Sequence, residues 1–374
     1  MKIPVAKPYL IEEDAQAAHD VILSGWVTQG PKVETFENEF AMYIGASNAV
    51  AVSSCTTALH LALVVAGVGP GDEVICPSMS FIATANAIVH AGAIAVFAEV
   101  GDDYNLDVAH VSTVITKRTK AVLLVHQLGM PADIDAFREL CDRRKILLIE
   151  DAACAAGSEY KGQKVGSHSD FVCFSFHPRK VITTGDGGMI TVKDSEHARR
   201  LRLLRQHGMS VNDRERHASA KIVFEEYLEV GYNFRMTDIQ AAVGITQLKK
   251  LDRIIEERRK IALRYHDAFR NIECLRLPLE RDGYRSNYQT YSVYLNENAP
   301  IGRDELMQKL LDEGISTRRG VMTAHREKAY AGRPCAPLPR SEDLADRSIV
   351  LPLYVPMNDS EQLFVINTVR RMLQ

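Results

Sequence analysis

Residues 48–100 read NAVAVSSCTTALHLALVVAGVGPGDEVICPSMSFIATANAIVHAGAIAVFAEV. Three short β-rich apolar runs, Asn48–Ser53, Glu73–Cys76 and Ile94–Val100, alternate with two helical patterns, Thr56–Ala66 and Ile82–Ala91. The runs are nearly continuous in apolar character rather than alternating with polar residues, which describes strands buried on both faces. Helices between such strands imply a sheet covered on both sides and mostly parallel. The alternation continues outward. Asp107–Thr116 is weakly helical, Ala121–His126 a strand, Asp133–Arg144 a helix, and Ile146–Glu150, Asp170–Phe176 and Gly188–Val192 are strands, the last two joined by a glycine-rich turn. Seven strands are expected.

After Val192 the character changes. Ser195–His207 is a basic helical stretch, and Arg214–Phe224 is polar and reads as a mobile loop. Thr237–Phe269 keeps helical periodicity throughout, with Thr237 and Asp238 placed as caps. A helix of that length commonly joins two domains. A hairpin-like pair of runs (Tyr288–Leu295 the clearer), a helix at Asp304–Glu313, a Pro/Arg-rich loop at His325–Pro339 and a last helix from Asp359 then make a small α+β unit. We divide the chain into a large domain, residues 1–250, and a small C-terminal domain, residues 251–374. The 374 residues suit two domains.

Composition excludes several classes. Apolar residues at 46% and charged residues at 25% are ordinary globular values and exclude disorder as the main state. A net charge of −3 offers no polybasic surface, so no nucleic-acid or membrane partner is expected. No apolar run reaches the roughly 18–20 residues of a membrane span, and MKIPVAKPYL lacks the apolar segment of a secretory signal. Seven scattered cysteines without C-x-x-C or zinc spacing read as thiols of a reducing cytoplasm, with no metal site.

In a doubly wound sheet, ligands sit beyond the carboxyl ends of the strands. Four groups of residues lie there. Ser53–His60 (SSCTTALH) follows a strand and opens a helix, so its free N–H groups and hydroxyls, Thr56 foremost, suit an anion; plain capping is the alternative. Asp151 ends a strand and suits a protonated ring nitrogen, or else caps the next turn. Lys180 lies in FSFHPRKVITTGDGGM among apolar neighbours, with Ser175 upstream and a turn whose glycines force close backbone approach; desolvation is expected to lower its pKa and make it a nucleophile. Phe81 offers a stacking face or a core aromatic. A phosphate cradle, a partner for a pyridine nitrogen, an amine and a stacking face are together what pyridoxal 5′-phosphate requires.

At these residues the sequence resembles the DegT/DnrJ/EryC1/StrS family of sugar aminotransferases. The resemblance begins at SGWVTQGPKVETFE, continues through SSCTTALHLAL, PGDEVICPSMSFIATANAI, IEDAACAAGS, FSFHPRKVITTGDGGM and GYNFRMTDIQAA, and ends near LPLY. It implies a fold-type I pyridoxal-phosphate enzyme, active as a homodimer with shared sites. That enzyme would move an amino group, from L-glutamate, to a nucleotide-linked keto-6-deoxysugar at C3 or C4. Carried onto this chain, Lys180 resembles the lysine that holds the cofactor and Asp151 the partner of its ring nitrogen. Ser54, Thr56 and Ser175 resemble phosphate ligands with the Cys55 N–H, Phe81 takes the stacking position, and Asn233 resembles the asparagine that reaches the phosphate from the neighbouring subunit. His325, Arg319 with Arg318, and His177 are the candidate substrate contacts; solvated or structural roles stand beside them.

The chain departs from the family pattern in four places. Cys55 stands for a frequent glycine, Cys154 for a glutamine or histidine near the cofactor's 3-oxygen, Asp186 for a glutamate, and Leu128 for a tyrosine. Three other readings share the fold: a sugar dehydratase, against which Lys180 argues because those members carry histidine there, a cyclitol aminotransferase, and a regulatory scaffold without catalysis.

Overall fold

The structure is a computed structural model and describes residues 2–211, 222 and 224–374. The polar loop read at 214–224 lies outside the described residues except for Ile222 and Phe224. The seven expected strands all form one sheet. They are β1 (Asn48–Val52), β2 (Glu73–Pro77), β3 (Ile94–Ala98), β4 (Thr119–Val125), β5 (Leu147–Asp151), β6 (Phe171–Ser175) and β7 (Gly188–Val192). Their order is β1-β7-β6-β5-β4-β2-β3. The contacts among β3, β2, β4, β5 and β6 are parallel, and β7 runs antiparallel to both β6 and β1. A mostly parallel sheet therefore holds, with one reversed strand supplied by the glycine-rich turn before Gly188.

Helices cover both faces, as the apolar strands require. Cys55–Val65, Ala83–His90 and Ser195–Leu204 pack on one side with Val50, Val74, Cys76 and Ile190. Val108–Val114 and Ile134–Arg144 cover the β2–β4 end of the other. The remainder of that face meets the N-terminal helix Pro31–Ile44 through Phe36 and Phe40, whose rings touch Phe174 and Phe176 at centroid distances of 5.0–5.6 Å, while a further N-terminal helix, Glu12–Ser24, packs on the long helix Asp238–Phe269.

These N-terminal helices were not read from sequence. Glu12–Ser24 buries only Asp14 and Val21, so its apolar signal is faint. It is held instead by ions: Lys250 donates to both Asp14 oxygens at 2.6 and 2.7 Å, and Thr246 donates at 2.6 Å, all buried. Burial works against the Asp14 carboxylate, but these donors outweigh it and hold its pKa below the ordinary value.

The long helix is Asp238–Phe269. Thr237 caps it in a capping box with Gln240, as expected. Asp238 does not cap it. Its buried carboxylate accepts from the N–H groups of Gly30, Lys32 and Val33, so it caps the helix Pro31–Ile44 instead. The helix carries the chain from the large sheet to a small antiparallel one, and the division proposed at residue 250 falls within it. The small sheet has the order β8 (Leu275–Arg276), β9 (Tyr291–Leu295), β11 (Ser348–Leu351), β10 (Arg318–Arg319). A helix, Pro339–Arg347, follows the loop expected at 325–339. Among the described residues no helix is long and apolar enough to cross a membrane.

Candidate active site

The site is built where β5, β6 and β7 meet the start of the helix Cys55–Val65. Ser54 caps that helix, its hydroxyl accepting from Thr57 N–H at 3.2 Å. The Ala58 N–H goes to the Ser54 carbonyl. Among the described residues, the N–H groups of Cys55 and Thr56 have no partner and the Thr56 hydroxyl makes no hydrogen bond. Two free amides and a free hydroxyl at a positive helix end form an anion cradle. Glycine makes the cradle possible: a Cβ on Gly188 would lie 2.4 Å from the Ser54 carbonyl oxygen and 2.8 Å from Cys55 N. Ser175 stands opposite Gly188 in the β6–β7 register, which sets its side chain beside the cradle. Its hydroxyl accepts from His177 N–H at a long 3.4 Å.

Asp151 ends β5 and is 5% exposed. One carboxylate oxygen accepts from the Thr84 hydroxyl at 2.9 Å and the other from Ala153 N–H at 3.1 Å. Among the described residues no cationic side chain pairs with it within ion-pair distance. Burial therefore dominates and pushes its pKa above the ordinary aspartate value. Thr84 was missed from sequence, although it lies three residues beyond Phe81 in the stretch already singled out. Ser80 shares a hydrogen bond with it at 2.8 Å, so the hydroxyl is held toward Asp151.

Lys180 follows a turn in which its own N–H donates to the His177 carbonyl at 2.8 Å. Its Nζ donates to Cys154 Sγ at 3.2 Å. The expected depression of its pKa is not found. Burial does work against the ammonium, but the Cys154 and Cys55 sulfurs and the Asp151 carboxylate more than offset it, and the pKa lies above the ordinary lysine value. Sequence position predicts desolvation; it does not show what negative neighbours the turn will meet. Asn287, also missed, fixes this corner by donating to the carbonyls of Cys154 and Ala156, both at 2.9 Å. Phe81 is 62% exposed, so its ring is open for stacking and is no core aromatic.

The remaining residues are placed as follows. The His325 ring nitrogens face Ser78 Oγ and, at 3.0 Å, Glu342. Ser78 directly follows β2, so His325 lies by the strand end that also bears Phe81, but with both nitrogens engaged. His177 Nδ1 accepts from Arg179 N–H at 3.2 Å. Arg319 is exposed on β10 and pairs with Glu327 at 3.3 Å, and Arg318 is exposed beside it. Asn233 is exposed, and the next residue, Phe234, accepts Ser53 N–H at 2.8 Å, so its backbone borders the cradle of its own chain.

The geometry fits pyridoxal 5′-phosphate on three counts: a buried carboxylate lacking a cation, free amides beside a free hydroxyl, and an open aromatic face. Among the described residues no group of three or more His, Cys, Asp or Glu is arranged to hold a metal.

Comparison with known proteins agrees. The spore coat polysaccharide biosynthesis protein SpsC of Bacillus subtilis is 39% identical over 100% of this chain and 97% of its own. The crystal structure of DesV from S. venezuelae superposes with a TM-score of 0.92 at 35% identity, covering 100% of this chain and 99% of that one. The putative sugar aminotransferase Spr1654 of Streptococcus pneumoniae, in its PLP form, gives a TM-score of 0.92 at 28% identity over the whole of both chains. The expectations of an aminotransferase and of pyridoxal phosphate as cofactor hold. The sequence pattern of the DegT/DnrJ/EryC1/StrS aminotransferase family matches residues 8–370, and the chain belongs to that family.

Proposed function

We propose that the protein transfers an amino group from an amino acid, L-glutamate, to the C3 or C4 ketone of a nucleotide-linked keto-6-deoxysugar. The observation that carries this reading is Asp151: a buried carboxylate whose partners among the described residues are a hydroxyl and one amide is built for a cation that arrives with a ligand. Bound there, pyridoxal phosphate would supply an aldehyde to take the amino group and a protonated ring to accept the electron pair left at the donor's Cα.

This chain's own residues do the rest. Ser54, Thr56, Ser175 and the Cys55 N–H hold the phosphate, and Phe81 covers one face of the ring. Asp151 keeps the ring nitrogen protonated. Lys180 Nζ would be the residue that holds the cofactor's aldehyde carbon and, as the free amine, would take the proton from the donor's Cα. Because its ammonium form is favoured in the free protein, Nζ must first give up a proton; the Cys154 sulfur at 3.2 Å fixes where that nitrogen waits. Asn233 of a second copy closes the cradle, which makes the active form a homodimer. His325, Arg319 and His177 line the route of the sugar. The product serves polysaccharide biosynthesis, the process in the name of the spore coat protein SpsC.

The test is the visible spectrum of the cofactor-loaded protein. Addition of L-glutamate is expected to bleach the lysine-bound band, and a panel of nucleotide keto-sugars to restore it. A band that ignores every amino donor removes the catalytic reading.

A further inference from the structure

Cys154 touches the lysine amine but has no part in the amino transfer itself. Its Sγ accepts from Lys180 Nζ at 3.2 Å. Both residues are part-buried, so the pair is open to a small solute. The contact is held from behind by one segment. Asn287, fully buried, donates to the carbonyls of Cys154 and Ala156 at 2.9 Å, and Gln289 Nε2 donates to the carbonyl of Arg179, the neighbour of Lys180, at 2.8 Å. Arg258 fixes that segment in turn, its buried guanidinium donating to the carbonyls of Tyr288 and Gln289 at 2.9 and 2.6 Å. Sulfur and nitrogen are thus presented to each other by a rigid frame, which gives a reaction between them the advantage of proximity.

The sulfur sets the chemistry open to this pair. A thiol beside an ammonium suits reaction with a peroxide, because the cation supports the negative charge that sulfur carries as a nucleophile. The product, a sulfenic acid, is an electrophile at sulfur and commonly condenses with a second thiol. The thiols nearby are poor partners for it. Cys55 stands near both residues but is buried, as is Cys173, and burial pushes both pKa values well above the ordinary cysteine value. They stay protonated and unreactive. The amine is in place instead. In the reduced protein burial works against the ammonium, and Cys154 leads the groups that offset it. A neutral sulfenic acid removes that support and leaves burial to favour the free amine.

We propose that Cys154 and Lys180 are a site of oxidative modification, at which a peroxide converts the thiol to a sulfenic acid and Lys180 Nζ closes on it to give a sulfenamide. In the first step sulfur takes one oxygen of hydrogen peroxide, the O–O bond breaks and water leaves, so sulfur is oxidised and the peroxide reduced. In the second the amine attacks that sulfur. The S–N bond forms as the S–O bond breaks, and the hydroxyl leaves with the amine's proton as a second water. No further oxidant is consumed. The bond withdraws the amine proposed to hold pyridoxal phosphate, but its formation does not depend on that role. A dithiol reverses it by attack at sulfur, returning thiol and amine and being oxidised to its own disulfide.

The test treats the full-length protein, freed of pyridoxal phosphate, with about one equivalent of hydrogen peroxide and reads its digest by mass spectrometry. Wild type is expected to yield the peptide of Cys154 joined to that of Lys180, lighter than their sum by two hydrogens, and dithiothreitol should part them. Cys154→Ser should lower the joined species by about tenfold or more. Lys180→Ala should do the same and leave a sulfenic acid at Cys154 that dimedone traps. Circular dichroism checks the folding of both variants, and the wild-type digest decides alone if either fails to fold. Cys154 left as a thiol in wild type, or carried to a disulfide or a sulfinic acid with Lys180 unlinked, overturns the proposal, as does a joined species undiminished in Cys154→Ser.

Discussion

Lys180 and Asp151 carry opposite burdens, and each gives a prediction. Removing the amine in Lys180→Ala should lower turnover by about a thousandfold or more, because it takes away the proposed attachment point and the proposed base together. Fold and cofactor binding at the cradle should survive, as circular dichroism and phosphate-competition titrations would show; residual turnover near wild type would remove Lys180 from its role. Asp151 gives a pH signature. Its folded pKa lies above the ordinary value, so the folded chain keeps this proton longer than the unfolded one. Stability of the cofactor-free protein should therefore fall as pH rises from about 4, the ordinary aspartate range, through that raised value. Asp151→Asn should abolish this loss and raise the melting temperature of the cofactor-free protein at neutral pH, while shrinking the stabilisation that pyridoxal phosphate confers. Parallel melting curves with no pH-dependent gap would contradict the account of Asp151.

At the level of elements, strands and central helices were legible because burial on both faces leaves continuous apolar runs, as in Val50–Val52 and Ile149. The N-terminal helices were not, because Glu12–Ser24 is pinned by Asp14 to Lys250 rather than by an apolar stripe. Asp238 illustrates the same limit. Its sequence position suits a cap of its own helix, but only the tertiary arrangement shows the helix it serves. In the candidate site, Lys180, Asp151 and Ser54 were singled out from strand ends and motif order, whereas Thr84 and Asn287 act through contacts that no spacing announces. Two predictions belong here. Gly188→Ala drives a Cβ into the Ser54 carbonyl, so cofactor affinity, read by absorbance titration, should weaken about tenfold or more. An unchanged affinity would mean that the helix start tolerates displacement. Asp14→Ala leaves Lys250 buried and unpaired, which should cost about 3–5 kcal/mol in denaturant unfolding. The Asp14 pKa is depressed, so its contribution is present at neutral pH and is lost as pH falls through that depressed value; a variant as stable as wild type at neutral pH would show that the pair contributes nothing net.

For the whole molecule, the proposed sharing of Asn233 between subunits has a quantitative outcome. Lys180→Ala and Asn233→Ala should each be nearly inactive alone. Mixed and allowed to exchange, half the dimers become hybrid, and each hybrid has one site with both defects and one intact. Activity should recover to about a quarter of wild type. No recovery, in a mixture shown by mass spectrometry to contain hybrids, would mean that Asn233 serves its own chain, whose backbone already borders the cradle.

The buried contacts of Asp14 and Asp238 also bear on the order of synthesis. The first two helices leave the ribosome early, yet Lys250 and the Asp238 carboxylate that fix them lie more than 200 residues downstream. For most of translation the first helix, Glu12–Ser24, lacks the long helix it packs on, and contacts this distant in sequence form late. A nascent chain stalled before residue 238 emerges should leave residues 12–24 open to protease, and one released past residue 250 should protect them, so that the first helix is a late part of the large domain to close.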